Sequence, residues 1–314
     1  MTRNPRRLLG ASLAAAAVLS VAGMTVPADA ATPVNQTGKV THVDDGDTVD
    51  VDLAGDGTST PQRIRMTGIN AMELTTYSSY PDRWQGECHA VDAAKRLYAL
   101  VYGKTVRVTA QDKASMSGNR YRRTISVYVN GAWRDVSQML LAEGHGLFLG
   151  NGQEYGVNKA DAAAAQYGAK QAKRLWDTDY CGSGPYQAAA LRVAVNYDAA
   201  GNDGTNVNGE FIRISNASAY AVPINGWWVR DSAYRGTLAH GYVFPSGARV
   251  PANGSITVFV GKGTNPSTKF YWGNTAPIFE NPSGSPTYYG DGAYLFDPQG
   301  DMRAWQQYPC RYAC

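Results

Sequence analysis

Two short segments of this chain combine acidic and basic residues: Asp45-Gly46-Asp47-Thr48, and then Arg65-Met66-Thr67-Gly68-Ile69-Asn70-Ala71-Met72-Glu73. The first is typical of a tight turn that leads into a strand. The second predicts a strand with a cation at its start and a carboxylate just beyond its end. Ca²⁺ and Mg²⁺ prefer oxygen ligands, and an arginine fork grips phosphate oxygens while staying charged. Together these residue types favour a site for phosphodiester hydrolysis, although Asp-Gly-Asp alone would indicate no more than a polar turn.

The two segments resemble the staphylococcal-nuclease-like (thermonuclease) family. Its pattern is approximately D-G-D-T, then R-x-x-x-x-D-x-x-E, then a strand with a third catalytic arginine. The resemblance covers about residues 39–182. It implies a five-stranded OB-type β-barrel with packed helices, cleavage of DNA and RNA, and a Ca²⁺ site. It also implies that Glu73 is the general base and that Arg65 holds the phosphate.

The resemblance further implies a set of metal ligands around the acidic turn. Asp47 is a direct ligand, Asp45 a nearby acidic group, and the Ala71 carbonyl a further oxygen. Asn70 stands where the family usually has a second metal-binding aspartate. An amide oxygen can still bind Ca²⁺, but it brings no charge, so Mg²⁺ or another divalent cation is an alternative. On this interpretation, Asn70→Asp is expected to tighten Ca²⁺ binding.

The third arginine is either Arg122 or Arg123. Adjacent strand residues face opposite sides, so the two cannot both lie with Arg65. The family's Tyr-Gly-Arg sequence favours Arg123. The spacing back from the hairpin turn Asn130-Gly131, together with the apolar alternation of the strand, favours Arg122. We take Arg122 as the catalytic residue and Arg123 as the alternative.

Four further side chains are candidates for secondary roles. Phe148 and Tyr155 could stack on a nucleobase, because such stacking tolerates any base, but packing roles explain them equally well. His89 and His145 could act as general acids, but helix-surface or packing roles explain them better.

The first thirty residues have the pattern of a secretory signal peptide. Arg3, Arg6 and Arg7 precede an apolar run from Leu8 to Val21, and Ala28-Asp29-Ala30 fits a cleavage site. We therefore expect a secreted protein with no membrane span, since the apolar run is short for a membrane helix.

The charge of the chain is nearly balanced. The whole chain has 29 Lys and Arg against 26 Asp and Glu, and the leader holds three of the former and one of the latter. The mature chain therefore has a net charge of +1 from 26 cations and 25 anions. Strong non-specific nucleic-acid binders are usually much more basic, so any positive patch must be local.

Four cysteines in a secreted chain suggest two disulfides. They are Cys88, Cys181, Cys310 and Cys314, and three pairings are possible. We favour Cys88–Cys181 and Cys310–Cys314, one within each domain. The cysteine spacing does not support a zinc site.

The fold class expected is α+β, with the barrel followed by an all-β immunoglobulin-like sandwich. Residues 38–182 form the nuclease-like domain, Gly182-Ser183-Gly184-Pro185 is the linker, and residues 187–314 form the sandwich.

The second part resembles the bacterial lamin-tail domain. The phrases that carry this resemblance are Asn208-Gly209-Glu210-Phe211-Ile212, Gly226-Trp227-Trp228-Val229-Arg230-Asp231, Phe244-Pro245-Ser246-Gly247 and Gly292-Ala293-Tyr294-Leu295-Phe296-Asp297. We expect a monomer whose sandwich is separable, so that a chain ending near Gly184 folds and cuts soluble substrate.

These observations favour a secreted, metal-dependent nuclease of DNA and RNA, with an accessory sandwich whose ligand is unknown. Two alternatives belong to other functional classes. One is a catalytically weak nucleic-acid-binding protein, an alternative based on Asn70 in place of a charged metal ligand. The other is a cell-envelope adhesion protein in which the sandwich does the main work.

Overall fold

A closed five-stranded barrel forms the first part of the chain. This computed structural model describes residues 32–150, 158–182, 184–233, 241–282 and 290–310. Its first eleven strands are β1 (Val34–Val43), β2 (Thr48–Leu53), β3 (Gln62–Met66), β4 (Gly68–Asn70), β5 (Leu74–Thr76), β6 (Gln85–Gly86), β7 (Thr105–Ala110), β8 (Met116–Ser117), β9 (Arg120–Val129), β10 (Ala132–Asp135) and β11 (Leu147–Leu149). The barrel runs β1-β2-β3-β9-β7 and closes from β7 back to β1, with only the β3–β9 pair parallel. The predicted barrel is confirmed.

Three helices pack on the barrel: α1 (Ala90–Val101), α2 (Val136–Ala142) and α3 (Asn158–Lys170). The apolar periodicity predicts a helix from Gly86 to Val101, but α1 begins at Ala90, because Gly86 is paired with Leu74 in the β5–β6 ladder. The alanine-rich stretch from Lys159 to Trp176 predicts one helix, but α3 ends at Lys170. Ala172 and Arg174 adopt positive φ angles of 48° and 61°, which L residues rarely take and which no helix accommodates.

The second part of the chain is all-β, as expected. Its strands are β12 (Leu191–Asn196), β13 (Phe211–Asn216), β14 (Val222–Pro223), β15 (Trp228–Asp231), β16 (Tyr242–Val243), β17 (Arg249–Val250), β18 (Ser255–Phe259), β19 (Lys269–Tyr271), β20 (Asp291–Phe296) and β21 (Met302–Tyr308). They form two four-stranded sheets, β12-β13-β18-β19 and β16-β15-β20-β21, and a short β14–β17 pair. Side chains from both sheets, such as Ile212, Ile256, Val229 and Leu295, share one core.

Strand β20 contributes side chains to the cores of both parts of the chain. It is buried along its whole length. Ala293 and Leu295 belong to the core between the two sheets. Tyr294 and Phe296, which alternate with them, belong to the core that the barrel and helices build. A strand covered on both faces accounts for the unbroken apolar run in this part of the sequence.

Trp176 and Gln166 of the first part also contact the second part. Trp176 is 1% exposed, and its ring lies 5.1 Å from that of Trp305 and 6.3 Å from that of Tyr294, centroid to centroid. Gln166 Nε2 donates to the Pro309 carbonyl at 2.9 Å. Residues 31–314 accordingly form one compact unit. The barrel and the sandwich therefore share an interface, which argues against the expected independence of the sandwich.

The predicted disulfide between Cys88 and Cys181 is present, with 5.9 Å between the two Cα atoms. It closes a loop of 93 residues, worth roughly 4–5 kcal/mol in the chain-entropy description. Cys310 is also disulfide-bonded, while its predicted partner Cys314 lies outside the described residues, as does the predicted leader. No helix among the described residues is both long and apolar enough to cross a membrane.

Candidate active site

The acidic turn between β1 and β2 is held against the segment that follows β4. The Asp47 N–H donates to Asp45 Oδ1 at 2.9 Å, which closes the turn. Gly46 is required there, since a Cβ at this position would lie 2.6 Å from the Ala71 Cβ and 2.8 Å from the Ala93 Cβ. The turn therefore lies directly on Ala71 and on helix α1.

Asp47 is the centre of a buried network. Its Oδ2 accepts from Arg65 Nη1 at 2.7 Å and from the Ala71 N–H at 2.9 Å. Asp47 and Arg65 are 3% and 4% exposed. A buried ion pair of this kind needs such additional hydrogen bonds to offset its desolvation. The structure thus brings Asp45, Asp47, Arg65 and Ala71 together, as the two sequence segments predict.

Asn70 uses both ends of its carboxamide. Its Oδ1 accepts from Arg65 Nη2 at 2.7 Å, and its Nδ2 donates to the backbone carbonyl of Ser232 at 2.9 Å. Ser232 directly follows β15 of the sandwich, and Asn70 is 1% exposed. The residue that departs from the family pattern therefore contacts the second domain.

Glu73 lies at the start of the β5–β6 ladder and is partly buried. Its N–H donates to Glu87 Oε2 at 3.1 Å, and its carbonyl accepts from the Glu87 N–H at 3.0 Å. Burial raises the pKa of the Glu73 carboxyl, the charges of Asp47 and Glu87 raise it further, and the charges of Arg65 and Arg120 oppose this. A carboxyl group with a raised pKa is suited to accept a proton near neutral pH.

The carboxyl group of Asp45 is buried near the other carboxyl groups of the site. Burial raises the pKa of Asp45 well above its ordinary value, and the charges of Asp47 and Glu73 add to the effect. An anionic oxygen set of this kind fits a hard divalent cation, which would relieve the repulsion. Asp45, Asp47 and the carbonyl of Ala71 are the groups that could hold it, with Asn70 as a neutral oxygen beside them.

A second grouping of ligand-type residues lies elsewhere. Among the described residues, Cys88, His89 and Cys181 have potential ligand atoms within 4.8 Å of one another. The two sulfurs are bonded to each other, so neither is a thiolate that could bind zinc. This grouping is structural.

The arginines of β9 take three different positions. Arg122 is the register partner of Arg65 in the parallel β3–β9 pair, so both start from the same face of the barrel. Arg123 is 4% exposed and donates to the carbonyls of Lys113 and Ser115 at 2.8 and 3.1 Å. Arg123 therefore stabilises the preceding loop, whereas Arg122 starts beside Arg65 on the same face.

Arg120 also contacts the acidic turn, although it belongs to neither of the two sequence segments. Its Nη1 donates to Thr48 Oγ1 at 3.0 Å, and Thr48 Oγ1 donates to Asp47 Oδ1 at 3.1 Å. Its charge also lowers the pKa of Glu73. Strand alternation could have revealed it, because Arg120 lies two residues before Arg122 and so faces the same side.

Tyr77 is a second residue outside the two sequence segments. Burial and the nearby charges of Asp45 and Glu73 raise the pKa of its phenol to about 12. The side chain is nevertheless 51% exposed, so Tyr77 is a surface residue within reach of the charges of the acidic site. No local pattern around Tyr77 indicates this position.

The suggested base-stacking role of Phe148 is wrong. Phe148 is 1% exposed, lies in β11 opposite Ile69, and belongs to the core, so its ring cannot receive a base. Tyr155, the other stacking candidate, lies outside the described residues.

His89 and His145 are packing residues, 6% and 3% exposed. The His89 ring stacks on Tyr180 with centroids 4.2 Å apart. Burial lowers the pKa of each imidazole from 6.5 to about 4. Both rings are therefore neutral at pH 7 and cannot act there as general acids.

The lowered pKa of His89 predicts a loss of stability in mild acid. The unfolded chain binds the proton near pH 6.5 and the folded chain only near pH 4, so the free energy of unfolding falls as pH drops through this window. The loss between pH 7 and pH 5 should be about 2 kcal/mol for this group. Asn tolerates the φ of 70° at position 89 and does not titrate, so His89→Asn should lose less stability than wild type over this interval.

Urea unfolding at pH 7 and pH 5 measures this difference for both proteins. Any constant cost of losing the ring stack on Tyr180 cancels in the comparison. Equal losses in wild type and His89→Asn would contradict the assignment.

Two family models match the chain. Residues 63–178 match the family described as staphylococcal nuclease homologue, and residues 186–310 match the Lamin Tail Domain. The first match begins after Asp45 and Asp47 and includes Arg65, Asn70, Glu73 and Arg122. No match was found among curated proteins.

Proposed function

Because the chain carries a staphylococcal-nuclease-like domain followed by a lamin tail domain, we propose that it is a secreted nuclease that hydrolyses phosphodiester bonds of DNA and RNA. The observation that supports this most directly is the buried contact of Arg65 with Asp47, next to Glu73. A general base, a phosphate-binding cation and a set of acidic oxygens are the groups that this reaction requires.

Each residue then has a role that its surroundings support. Glu73 removes a proton from the attacking water. Arg65 and Arg122, side by side on β3 and β9, stabilise the charge that gathers on the phosphate oxygens. Arg120, joined through Thr48 to Asp47, adds a third positive charge on the same side.

The acidic oxygens are the proposed metal site. Asp45, Asp47, the Ala71 carbonyl and Asn70 would hold Ca²⁺, or alternatively Mg²⁺. A bound cation of this kind polarises a phosphate oxygen as a Lewis acid. Asp47 keeps its hydrogen bond from the Ala71 N–H, which fixes its carboxylate for this purpose.

We expect the purified mature protein to degrade plasmid DNA and RNA only when a divalent cation is present. The measurement is gel-based digestion with EDTA, Ca²⁺ or Mg²⁺, followed by re-addition of each cation to the EDTA-treated sample. Undiminished cleavage in excess EDTA would rule out the metal site. Tight binding of DNA without cleavage under any cation would instead favour the nucleic-acid-binding alternative.

A further inference from the structure

A backbone carbonyl of the lamin tail domain accepts a hydrogen bond from a residue of the proposed nuclease site. Ser232 O accepts from Asn70 Nδ2 at 2.9 Å, and Asn70 Oδ1 accepts from Arg65 Nη2 at 2.7 Å. Arg65 in turn pairs with Asp47 at 2.7 Å. A continuous chain of polar contacts therefore runs from the sandwich through Asn70 to the phosphate-binding arginine and the candidate metal ligand.

An amide can make both contacts of Asn70, whereas an ionised carboxylate cannot. Its oxygen accepts from a guanidinium, while its nitrogen donates to a carbonyl. An aspartate would place a carboxylate oxygen against the Ser232 carbonyl oxygen, so two acceptors would face each other in a buried place. This contact gives a physical reason for an asparagine where the family pattern has an aspartate.

The Ser232 carbonyl is itself held firmly. The Ser232 N–H donates to Asp291 Oδ1 at 3.0 Å, and its hydroxyl lies 3.2 Å from the Tyr294 hydroxyl. Tyr294 packs with Trp176 of the first part. The acceptor that orients Asn70 is therefore fixed by strand β20, which both cores share.

Arg230 of the lamin tail domain contacts the segment from Asn70 to Glu73. It is 2% exposed, its Nη1 lies 4.0 Å from Met72 Sδ, and its Nε donates to the Asp231 carbonyl at 3.0 Å. Burial lowers the pKa of the Arg230 guanidinium, and the nearby charges of Asp231, Glu87 and Glu73 oppose this shift. A buried guanidinium thus packs on the residue that immediately precedes Glu73.

We propose that the lamin tail domain completes the nuclease site: Ser232 and Arg230 are positioning residues that hold the segment Asn70–Glu73 in its working geometry. This inference rests on the proposed nuclease function. Small displacements of catalytic groups cost large factors in rate, so a supporting shell of this kind acts mainly on turnover. The second domain is then part of the catalytic apparatus as well as an accessory module.

The test compares Arg230→Gln with Arg213→Gln in the full-length protein. Arg213 is exposed on β13 and undergoes the same chemical change away from the site. Arg230→Gln should lower kcat on DNA at least tenfold and change KM by less than twofold, and Arg213→Gln should match wild type. Near-ultraviolet circular dichroism verifies folding, and if Arg230→Gln does not fold, Arg230→Lys keeps the charge while losing the guanidinium fork.

Hydrogen–deuterium exchange gives a readout that needs neither metal nor catalysis. In EDTA, the peptide covering residues 66–76 should exchange faster in Arg230→Gln than in wild type or Arg213→Gln. Unchanged exchange together with wild-type kcat would overturn the inference. Increased activity would also overturn it, since the sandwich would then obstruct the site.

Asn70→Asp is the second variant. The carboxylate must turn away from Ser232, so the melting temperature in EDTA should fall by several degrees and kcat/KM at least tenfold. An unchanged melting temperature with tighter Ca²⁺ binding would instead support the simple ligand role of residue 70. If wild type itself cleaves nothing, the proposed function fails, and the exchange experiment still decides whether the sandwich positions this segment.

Discussion

Glu73→Gln is expected to lower the turnover of DNA and RNA by about 10²-fold or more, the usual contribution of a general base. This corresponds to about 2.7 kcal/mol of lost transition-state stabilisation. Glutamine keeps the shape of the side chain and the backbone contacts with Glu87, but it cannot accept a proton from water. Single-turnover cleavage at saturating cation measures the effect.

The melting temperature of Glu73→Gln shows whether a loss of turnover comes from the chemistry or from a loss of folded protein. Burial and the charges of Asp47 and Glu87 disfavour the ionised Glu73 side chain, so a neutral amide should leave the melting temperature unchanged or raise it. Glu143→Gln is a matched control, because Glu143 pairs with Arg96 away from the site, and it should retain wild-type turnover. Wild-type turnover in Glu73→Gln would show that the base is another group.

Removal of the lamin tail domain is expected to have the largest effect on stability. A chain of residues 31–184 would expose Trp176 and the other side chains that Tyr294, Phe296 and Met302 now cover. At about 2 kcal/mol for each large apolar side chain uncovered, three or four of them approach the 5–15 kcal/mol that holds a whole domain folded. The melting temperature should fall by at least about 10 °C, and nuclease activity should fall at least tenfold.

A control for the truncation distinguishes the effect of breaking the linker from the effect of losing the interface. A protease site introduced after Gly182 allows the intact folded protein to be cut in the linker. The two fragments should then remain associated and active, because the shared core and the Gln166–Pro309 contact persist. If the truncated chain melts and cuts free DNA like the full-length protein, the domains are independent and the interface contributes little.

The sequence by itself determined the local structure and the main chemical groups. The family resemblance predicted the barrel, Asn130-Gly131 predicted the hairpin, and Cys88–Cys181 was the favoured one of three cysteine pairings. The acidic turn and the segment Arg65 to Glu73 pointed to the residues that the fold brings together. These features depend on neighbours a few residues apart, on cysteine pairing, or on a family spacing, and such relations are visible in a linear chain.

Only the tertiary structure decided which of several equivalent side chains reaches the site. Arg123 donates to backbone carbonyls, whereas Arg120 donates to Thr48; strand alternation separates the two faces of β9 but does not show which face carries the site. Phe148 is buried because β11 pairs with β4, two strands far apart in sequence. The contact between Asn70 and Ser232 joins residues 162 positions apart, and no periodicity extends over that distance. Such long-range pairings are determined by how whole sheets pack, so the role of the second domain became visible only in the folded molecule.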